Sequence, residues 1–209
     1  MLVAVRRFVP AFALALGCVS TTAHADEPIF GLSITIAKRD GSVARVVDDP
    51  WVNAQIAEAN RLFEPRGTRF RWVFEKPLAD AHASMHTRTD RDELTPLTEP
   101  NGYIDVFLVR ELEDVDDPGT YRRGVCWTGR GGKRFIIVSQ IAGVSVLAHE
   151  LGHFFGNPHS PVTDNLMSYS RTGAPPFLDE EQTSRIKSFT ARFLSTGRLA
   201  DVGPPIRFF

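Results

Sequence analysis

The sequence predicts an α+β fold, with a strand, a helix, three more strands and two further helices in that order. Two patterns support this prediction. Short segments alternate apolar and polar residues, as half-buried strands do, and longer segments repeat apolar residues every three or four positions, as amphipathic helices do. The 209 residues are 43% hydrophobic and 23% charged, a composition typical of one globular domain with a hydrophobic core.

Four segments are predicted to be strands. In the first, Leu32, Ile34 and Ile36 occupy alternate positions, so one side of the strand is apolar. The last segment is almost continuously apolar, which indicates a strand that is buried on both faces. The four segments are residues 29–38, 68–74, 103–109 and 134–139.

Three segments are predicted to be helices. Asp49 and Pro50 open the first, because an N-cap residue followed by proline at the first helical position is a common helix start. The second leads from Gly143 into a histidine-rich segment and is apolar on most sides, so we expect a central, buried helix. The third starts at Leu178 and runs through Leu194. The predicted core positions are Val52, Ile56, Ala59 and Phe63 in the first helix, and Ile186, Phe189 and Phe193 in the third.

The histidine-rich segment contains His149, His153 and His159, at offsets 0, 4 and 10, with Glu150 beside the first. Residues four apart on a helix project from the same face, so His149 and His153 can reach one metal ion. Gly156 is suited to the positive φ that ends a helix, which would bring His159 round as a third ligand. Three protein ligands leave one position for water, as in a catalytic zinc site, and Glu150 is placed to take a proton from that water.

This HExxHxxGxxH pattern, followed by a methionine, resembles that of the metzincin clan of zinc metallopeptidases, of the secreted bacterial type. The resemblance implies a zincin-like domain with a twisted mixed sheet, an active-site helix, a methionine turn (the Met-turn, residues 164–169) and a C-terminal helix. It implies that Met167 packs beneath the metal against the ligand histidines. It also implies that Tyr169 approaches the zinc or the reaction intermediate, with an ordinary buried aromatic as the alternative. Only residues 149–169 carry specific evidence for the resemblance.

The function implied by the resemblance is that of a secreted zinc endopeptidase with one catalytic Zn²⁺ ion. We expect Glu150 to act as the general base, and a peptide or protein substrate to bind extended along an edge strand, somewhere in residues 124–139. A non-catalytic zinc-containing binding module on the same scaffold is one alternative, and the presence of Glu150 argues against it. A narrow-specificity exopeptidase, a cell-wall peptide hydrolase and a toxin-like effector are the others.

Residues 1–25 are predicted to be a secretory signal peptide. Arg6 and Arg7 provide a positive start, a mostly apolar run follows, and the segment ends in a small-x-small cleavage site at Ala25. The run is shorter than a bilayer span, so we expect a secreted or periplasmic protein with no transmembrane segment in the mature chain. A lipoprotein anchored at Cys18 is the alternative.

Residues 26–209 are predicted to form a single catalytic domain. Its N-terminal subdomain, residues 26–159, would hold the sheet and the zinc helix, and its C-terminal subdomain, residues 160–209, the Met-turn and the last helix. The formal net charge of −1 provides no basic patch for nucleic acid, so none is expected as a partner, and we expect a monomer.

Three further features have more than one interpretation. Cys126 is predicted to be a buried free thiol, with latency through binding to zinc as the alternative. Residues 78–100 are predicted to be a long surface loop, with a second metal site at His82 and His86 as the alternative. Residues 111–117 are acidic, and a Ca²⁺ site there is less favoured than a solvated charged turn, because the spacing of an EF-hand loop is missing.

Overall fold

The computed structural model describes residues 27–204. The predicted signal peptide, including Cys18 and Ala25, lies outside the described residues. The strands of the described part are β1 (Ile29–Ile36), β2 (Arg69–Pro77), β3 (Ser84–Met85), β4 (Tyr103–Val109), β5 (Glu111–Leu112), β6 (Gly124–Thr128) and β7 (Arg134–Ser139). Its α-helices are α1 (Asp49–Phe63), α2 (Arg88–Asp92), α3 (Val146–Phe154) and α4 (Glu180–Ser195).

Five of the strands form a mixed sheet in the order β2-β1-β4-β7-β6. The first four run parallel, and β6 runs antiparallel to β7. Parallel neighbours require a crossover connection, which α1 provides between β1 and β2. In the described part of the chain β6 has a strand on one side only. The predicted α+β fold with a mixed sheet is confirmed.

The predicted strands lie close to the observed ones. Segments 103–109 and 134–139 agree with β4 and β7 at both ends, while β1 ends at Ile36 and β2 continues to Pro77. Every residue of β7 after Arg134 is buried, which confirms the prediction that this strand is covered on both faces. The apolar patterns therefore located the strands. The observed ends of β1 and β2 differ from the predicted ones by at most three residues.

Helix α1 has the predicted apolar face, but its N-cap is Asp48 and not Asp49. Asp48 has extended backbone angles, and its carboxylate accepts a hydrogen bond from the Trp51 N–H at 3.0 Å. Asp49 is already helical, which makes Pro50 the second helical residue. Either aspartate satisfies the sequence rule for a cap, and only the backbone conformation distinguishes them. The buried positions of α1 are Val52, Gln55, Ile56, Ala59, Leu62 and Phe63.

The two other long helices also agree with prediction. α3 is buried along most of its length, and α4 begins after Asp179, whose carboxylate caps it. Ile186 and Phe193 are buried as expected, and Phe189 is partly buried against the core. In the part of the chain that the structure describes, no helix combines the length and the hydropathy that crossing a bilayer requires.

A cluster of aromatic rings joins the sheet to the helices around Phe155, the residue that follows α3. Its ring centroid lies 5.9 Å from that of Phe30 in β1, 5.8 Å from Phe63 in α1 and 5.5 Å from Phe193 in α4. Aromatic pairs at these separations add stability beyond the area they bury. The C-terminal end of α3 is therefore fixed simultaneously by the sheet and by two helices.

The prediction that residues 78–100 form a surface loop is wrong. The segment contains β3, which pairs with β5, and the short helix α2. Ala83, Met85 and Leu94 are fully buried. Apolar residues spread singly among charged ones show no period, so their burial leaves no pattern in the sequence.

This segment packs beneath the edge strand of the sheet. The buried Arg91 guanidinium lies 5.0 Å from the ring centroid of Trp127 in β6, and its Nη2 donates to the carbonyl of Glu113. The indole N–H of Trp127 donates to Asp92 at 2.8 Å. The segment thus supports β6 through the Trp127 side chain.

Candidate metal centre

The three histidines of the motif converge on one point. Nε2 of His153 lies 3.1 Å from Nε2 of His149 and 3.1 Å from Nε2 of His159. In the described residues these three are the only group of three or more potential metal ligands whose donor atoms lie within 4.8 Å of one another. The predicted ligand set is therefore brought together by the fold.

Two backbone carbonyls fix the tautomers of the helical histidines. Nδ1 of His149 lies 2.7 Å from the carbonyl oxygen of Leu166, and Nδ1 of His153 lies 2.8 Å from that of Asn157. A carbonyl can only accept, so each Nδ1 carries the proton and each Nε2 presents a lone pair. The 3.1 Å contact between Nε2 of His149 and Nε2 of His153 is therefore not a hydrogen bond, because neither atom carries a proton.

A cation is the partner that this donor set requires. Tetrahedral Zn²⁺ with Zn–N bonds of about 2.0–2.1 Å separates two ligand nitrogens by about 3.3 Å. The observed separations of 3.1 Å are close to that value. Imidazole nitrogens held by carbonyls on their outer side are typical of zinc ligands. The residues present therefore fit zinc.

The electrostatic environment keeps the histidines in the form that binds metal. Burial lowers the pKa of His149 and of His159, and it lowers the pKa of His153 to about 4. Uncharged imidazole binds metal ions, whereas imidazolium does not. All three side chains are therefore available as ligands at neutral pH.

Gly156 ends the helical geometry as predicted. Its φ is +83°, and its N–H donates to the carbonyl of His153 at 2.9 Å. The next N–H, that of Asn157, donates to Gly152 at 3.0 Å. These bonds terminate α3 and turn the chain, so that His159 approaches the two helical histidines from outside the helix.

The N-terminal end of α3 is held by a side chain from α1. Ser145, the N-cap residue of α3, makes no capping bond. Instead the Gln55 side chain accepts from the N–H of Leu147 at 3.1 Å and donates to the carbonyl of Gly143 at 2.9 Å. Gln55 therefore satisfies one of the N–H groups that the first turn of a helix leaves unpaired.

Glu150 lies on the floor of the cleft between α3 and β6. The residue is only 5% exposed, and burial raises the pKa of its carboxyl to about 8, against a hydrogen bond from the backbone N–H of Cys126. A Cβ atom on Gly124 would lie 2.9 Å from Oε1 of Glu150 and 2.7 Å from Val146. The absence of a side chain at Gly124 therefore gives the carboxylate its room beside the edge strand.

Met167 lies under the active-site helix, where the resemblance implies it. It is fully buried, and a Cβ atom built on Gly152 would lie 2.3 Å from its sulfur. Its N–H donates to the Asn165 side chain at 2.9 Å. The same amide exchanges hydrogen bonds of 2.9 and 3.0 Å with Gln182 in the first turn of α4. The Met-turn is thus tied to α4, and through the Leu166 carbonyl it orients His149.

Tyr169 reaches the histidine cluster. Its hydroxyl lies 2.8 Å from Nε2 of His159, and its side chain also contacts Arg122. Because the residue is 71% exposed, the alternative of an ordinary buried aromatic does not describe it. Its role in stabilising a reaction intermediate stays a prediction.

Cys126 lines the same cleft but is not part of the histidine group. Burial raises the pKa of its thiol to about 12, and thiolate is the form that binds zinc. A free thiol is the interpretation that these observations favour.

In the acidic segment, three carboxylates have partners within the protein: Glu113 with His86, Asp114 with Arg122 and Asp116 with Arg88. A Ca²⁺ ion there stays an untested alternative. His82 lies near Glu93, with 3.7 Å between Nδ1 and Oε2, so the two loop histidines each face an acid.

Several residues that build the site were not predicted from the sequence. They act through the backbone or across long sequence separations, so no motif specifies their residue type. Gln182 is the exception, because the spacing Asp179-x-x-Gln182 is a capping-box pattern that the structure confirms at the start of α4. The other unpredicted residues are Gln55, Gly124, Asn157, Asn165 and Leu166.

Similarity to solved structures identifies the fold. The chain matches metalloproteinase-II from Bacteroides fragilis with a TM-score of 0.54 and 13% identity, over 80% of this chain and 55% of that one. It matches a Tannerella forsythia promirolysin mutant with a TM-score of 0.59 and 9% identity, over 83% and 86%. It matches archaemetzincin from Methanopyrus kandleri with a TM-score of 0.50 and 14% identity, over 83% and 99%.

No protein-family model matches the sequence, and no curated protein matches it either. At such low identities the structural similarity shows the fold, which is the metzincin fold that the sequence resemblance implies. The chain spans little more than half the length of the Bacteroides metalloproteinase that it matches.

Replacing Gly152 with alanine is expected to destabilise the protein by about 1–3 kcal/mol, because the added methyl group overpacks a filled site against the Met167 sulfur. Gly143→Ala is the matched control, since a Cβ atom there meets nothing within 4 Å. The measurement is urea unfolding of both variants. In a Met167→Ala background the cost of Gly152→Ala should disappear, and an undiminished cost there would show that Met167 is not its cause.

Proposed function

We propose that this chain is a zinc-dependent endopeptidase in which His149, His153 and His159 hold the metal and Glu150 is the general base. The observation that carries the proposal is the convergence of three imidazole nitrogens beside a buried carboxylate in the lining of an open cleft. The names of the structural neighbours, a metalloproteinase, a promirolysin and an archaemetzincin, support a peptide-hydrolysing function on this fold.

The substrate would bind along β6. This strand pairs with β7 on one side, and its other edge faces the cleft, whose volume is about 640 Å³. An extended peptide can add to such an edge through main-chain hydrogen bonds, which bring a peptide group over the histidines without demanding a particular sequence. The cleft-lining residues Gly124, Val125, Cys126 and Thr128 belong to this strand, and they are the part of residues 124–139 that we propose contacts the substrate.

The chemistry assigned to Glu150 follows from its environment. A zinc ion held by the histidines would supply Lewis-acid activation of a water molecule and of the scissile carbonyl. Glu150 would take the proton of that water and deliver it to the departing amine nitrogen. Its raised pKa of about 8 makes the carboxyl a stronger proton acceptor than an exposed glutamate, and the positive charge of a zinc ion held by the histidines would favour its ionised form.

Tyr169 is placed to assist the same step. Its hydroxyl is already at the histidine cluster, 2.8 Å from His159. An O–H group there can donate to the negative oxygen that develops on the scissile carbonyl. Its exposure to the cleft leaves it free to move from His159 to the substrate.

An endopeptidase is favoured over the alternatives by the shape of the site. A binding module has no use for a buried carboxylate beside the metal ligands, and burial of that carboxylate destabilises its charged form. An exopeptidase needs a barrier or a charge that recognises a chain end, whereas β6 offers a run of five residues along which a peptide can extend in both directions.

We further propose that the protein is exported and loses residues 1–25 on the way. The support is the sequence of the N-terminal segment alone, with its paired arginines, apolar run and small residues before Asp26.

Glu150→Gln is expected to lower the rate of peptide cleavage by about 100-fold to 10,000-fold while leaving bound zinc unchanged, because the amide cannot accept the proton of water. The measurement is digestion of peptides with blocked ends, followed by mass spectrometry, together with zinc content by atomic absorption. Glu180→Gln, at an exposed position of α4, is the matched control.

Retained cleavage by Glu150→Gln would contradict its role as base. Folded, zinc-loaded protein that cleaves nothing would instead favour the binding module, and release of terminal residues alone from unblocked peptides would favour an exopeptidase.

Tyr169→Phe is expected to reduce kcat by about tenfold to 100-fold with little change in KM, since the lost hydroxyl would act on the transition state and not on bound substrate. Tyr103→Phe is the control, because Tyr103 packs against Phe74 away from the cleft. An equal effect of both substitutions, or a change confined to KM, would rule out the assigned role.

Export is tested by expressing the full chain in a bacterial host, separating the cell fractions and measuring the intact mass. The expected N-terminus is Asp26 in the exported fraction. A lipid-modified N-terminus at Cys18 would establish the lipoprotein alternative, and a cytoplasmic chain that keeps residues 1–25 would refute export.

A further inference from the structure

Four arginines line the cleft around the histidine cluster. Arg122 and Arg123 immediately precede β6, Arg134 begins β7, and Arg171 follows the Met-turn. Glu150 is the only acidic residue among the described residues that line this cleft, and it is assigned to the chemistry. A concave site with this composition focuses a positive potential on whatever it binds.

Most of this charge has no counter-charge within the described part of the chain. Arg122 pairs with Asp114 at 2.7 Å. Arg134 and Arg171 donate to backbone carbonyls, those of Phe154 and of Asn165 and Leu166, and neither forms an ion pair there. Arg123 is exposed, and its side chain has neither an ion pair nor a hydrogen bond among residues 27–204. Three of the four guanidinium groups therefore have no carboxylate partner among residues 27–204.

Two of the arginines lie at opposite ends of β6. Arg123 comes just before Gly124, the first residue of β6, and Arg134 is the register partner of Thr128, the last one. The five residues of β6 span about 13 Å, which is several positions of an extended peptide. A single carboxylate at the end of a chain would meet only one of these groups.

We propose that this cleft selects peptide segments with acidic side chains on both sides of the scissile bond, an inference that rests on the proposed peptidase function. Guanidinium binds carboxylate through two parallel hydrogen bonds, which would fix an aspartate or glutamate side chain as the main chain pairs with β6. The selected substrates are thus acidic, extended segments of proteins.

Arg123 is the residue through which this selection is best tested. Arg134 and Arg171 donate hydrogen bonds to backbone carbonyls, so substitutions there could destabilise the fold. Arg123 has an exposed side chain with no partner among residues 27–204. Arg123→Glu reverses its charge and Arg123→Lys keeps it. Arg39→Glu is the matched control, since Arg39 is an exposed arginine with no ion pair among residues 27–204 and lies outside the cleft.

The experiment uses peptides that share one central sequence and differ in their flanks: acidic, neutral and basic with amidated C-termini, and neutral with a free C-terminal carboxylate. We expect kcat/KM at low salt to be at least about tenfold higher for the acidic peptide than for the neutral one, with the ratio falling as salt is added. Arg123→Glu should lower that ratio by about tenfold, Arg123→Lys should largely retain it, and Arg39→Glu should leave it unchanged.

Equal cleavage of the three amidated peptides would overturn the inference and leave the peptidase function standing. Preference for the free carboxylate regardless of flanks would overturn it in favour of recognition of chain ends. If the zinc-loaded protein cleaves none of the peptides, the peptidase function fails, and the inference is decided by fluorescence anisotropy of the same labelled peptides. Acid-selective binding that Arg123→Glu weakens would support it, and equal binding of all peptides would overturn it.

Discussion

The mutual approach of three uncharged imidazoles is the constraint on which the rest of this structure depends. Nε2 of His153 lies 3.1 Å from Nε2 of each of the other two, and at least the His149–His153 pair is a contact between two lone pairs, which is unfavourable without a cation between them. The protein maintains it by using the outer nitrogens of two rings as donors to the carbonyls of Leu166 and Asn157. A pre-arranged donor set of this kind binds a metal ion without first reorganising the protein.

Holding those carbonyls in place accounts for much of the surrounding architecture. The Leu166 carbonyl belongs to the Met-turn, which Asn165 ties to Gln182 in α4. The Asn157 carbonyl follows the turn at Gly156, and the adjacent Phe155 is fixed among rings from the sheet and two helices. Elements before and after the histidine segment therefore converge on α3, and the histidine side chains are oriented by groups outside the histidine cluster.

The cleft combines a strand edge, which can pair with any main chain, and charged side chains, which can distinguish one peptide from another. The edge of β6 can accept the main chain of any extended peptide, and the segment behind it, with Arg91 and Asp92 against Trp127, keeps the strand in place. Glu150, the proposed general base, lines the same cleft. The arginines around it provide the electrostatic selection that the edge strand lacks, since hydrogen bonds to a main chain do not distinguish one sequence from another.

The sequence by itself located the main strands and the three long helices, and it identified the three histidines that the fold brings together. The apolar patterns of residues 103–109 and 134–139 located β4 and β7, and the spacing of His149, His153 and Glu150 placed these side chains on one helix, because both depend on local patterns. Gly156 was identified for the same reason, since only its own backbone conformation was at issue. The Asp48 cap of α1 lay one residue from its predicted position, because two neighbouring aspartates satisfy the same local rule.

What the tertiary structure alone decided depends on contacts between residues distant in sequence. Gln55 caps α3 from a helix 92 positions earlier, and the Met-turn carbonyl that orients His149 carries no side-chain signature at all. The burial of Ala83, Met85 and Leu94 was also not predicted, since isolated apolar residues form no periodic pattern and are buried only when other elements cover them. The grouping of Arg123, Arg134 and Arg171 around one cleft was likewise not predicted from the sequence. Charges that are far apart in the chain produce a common electrostatic potential only when folding places them on one surface.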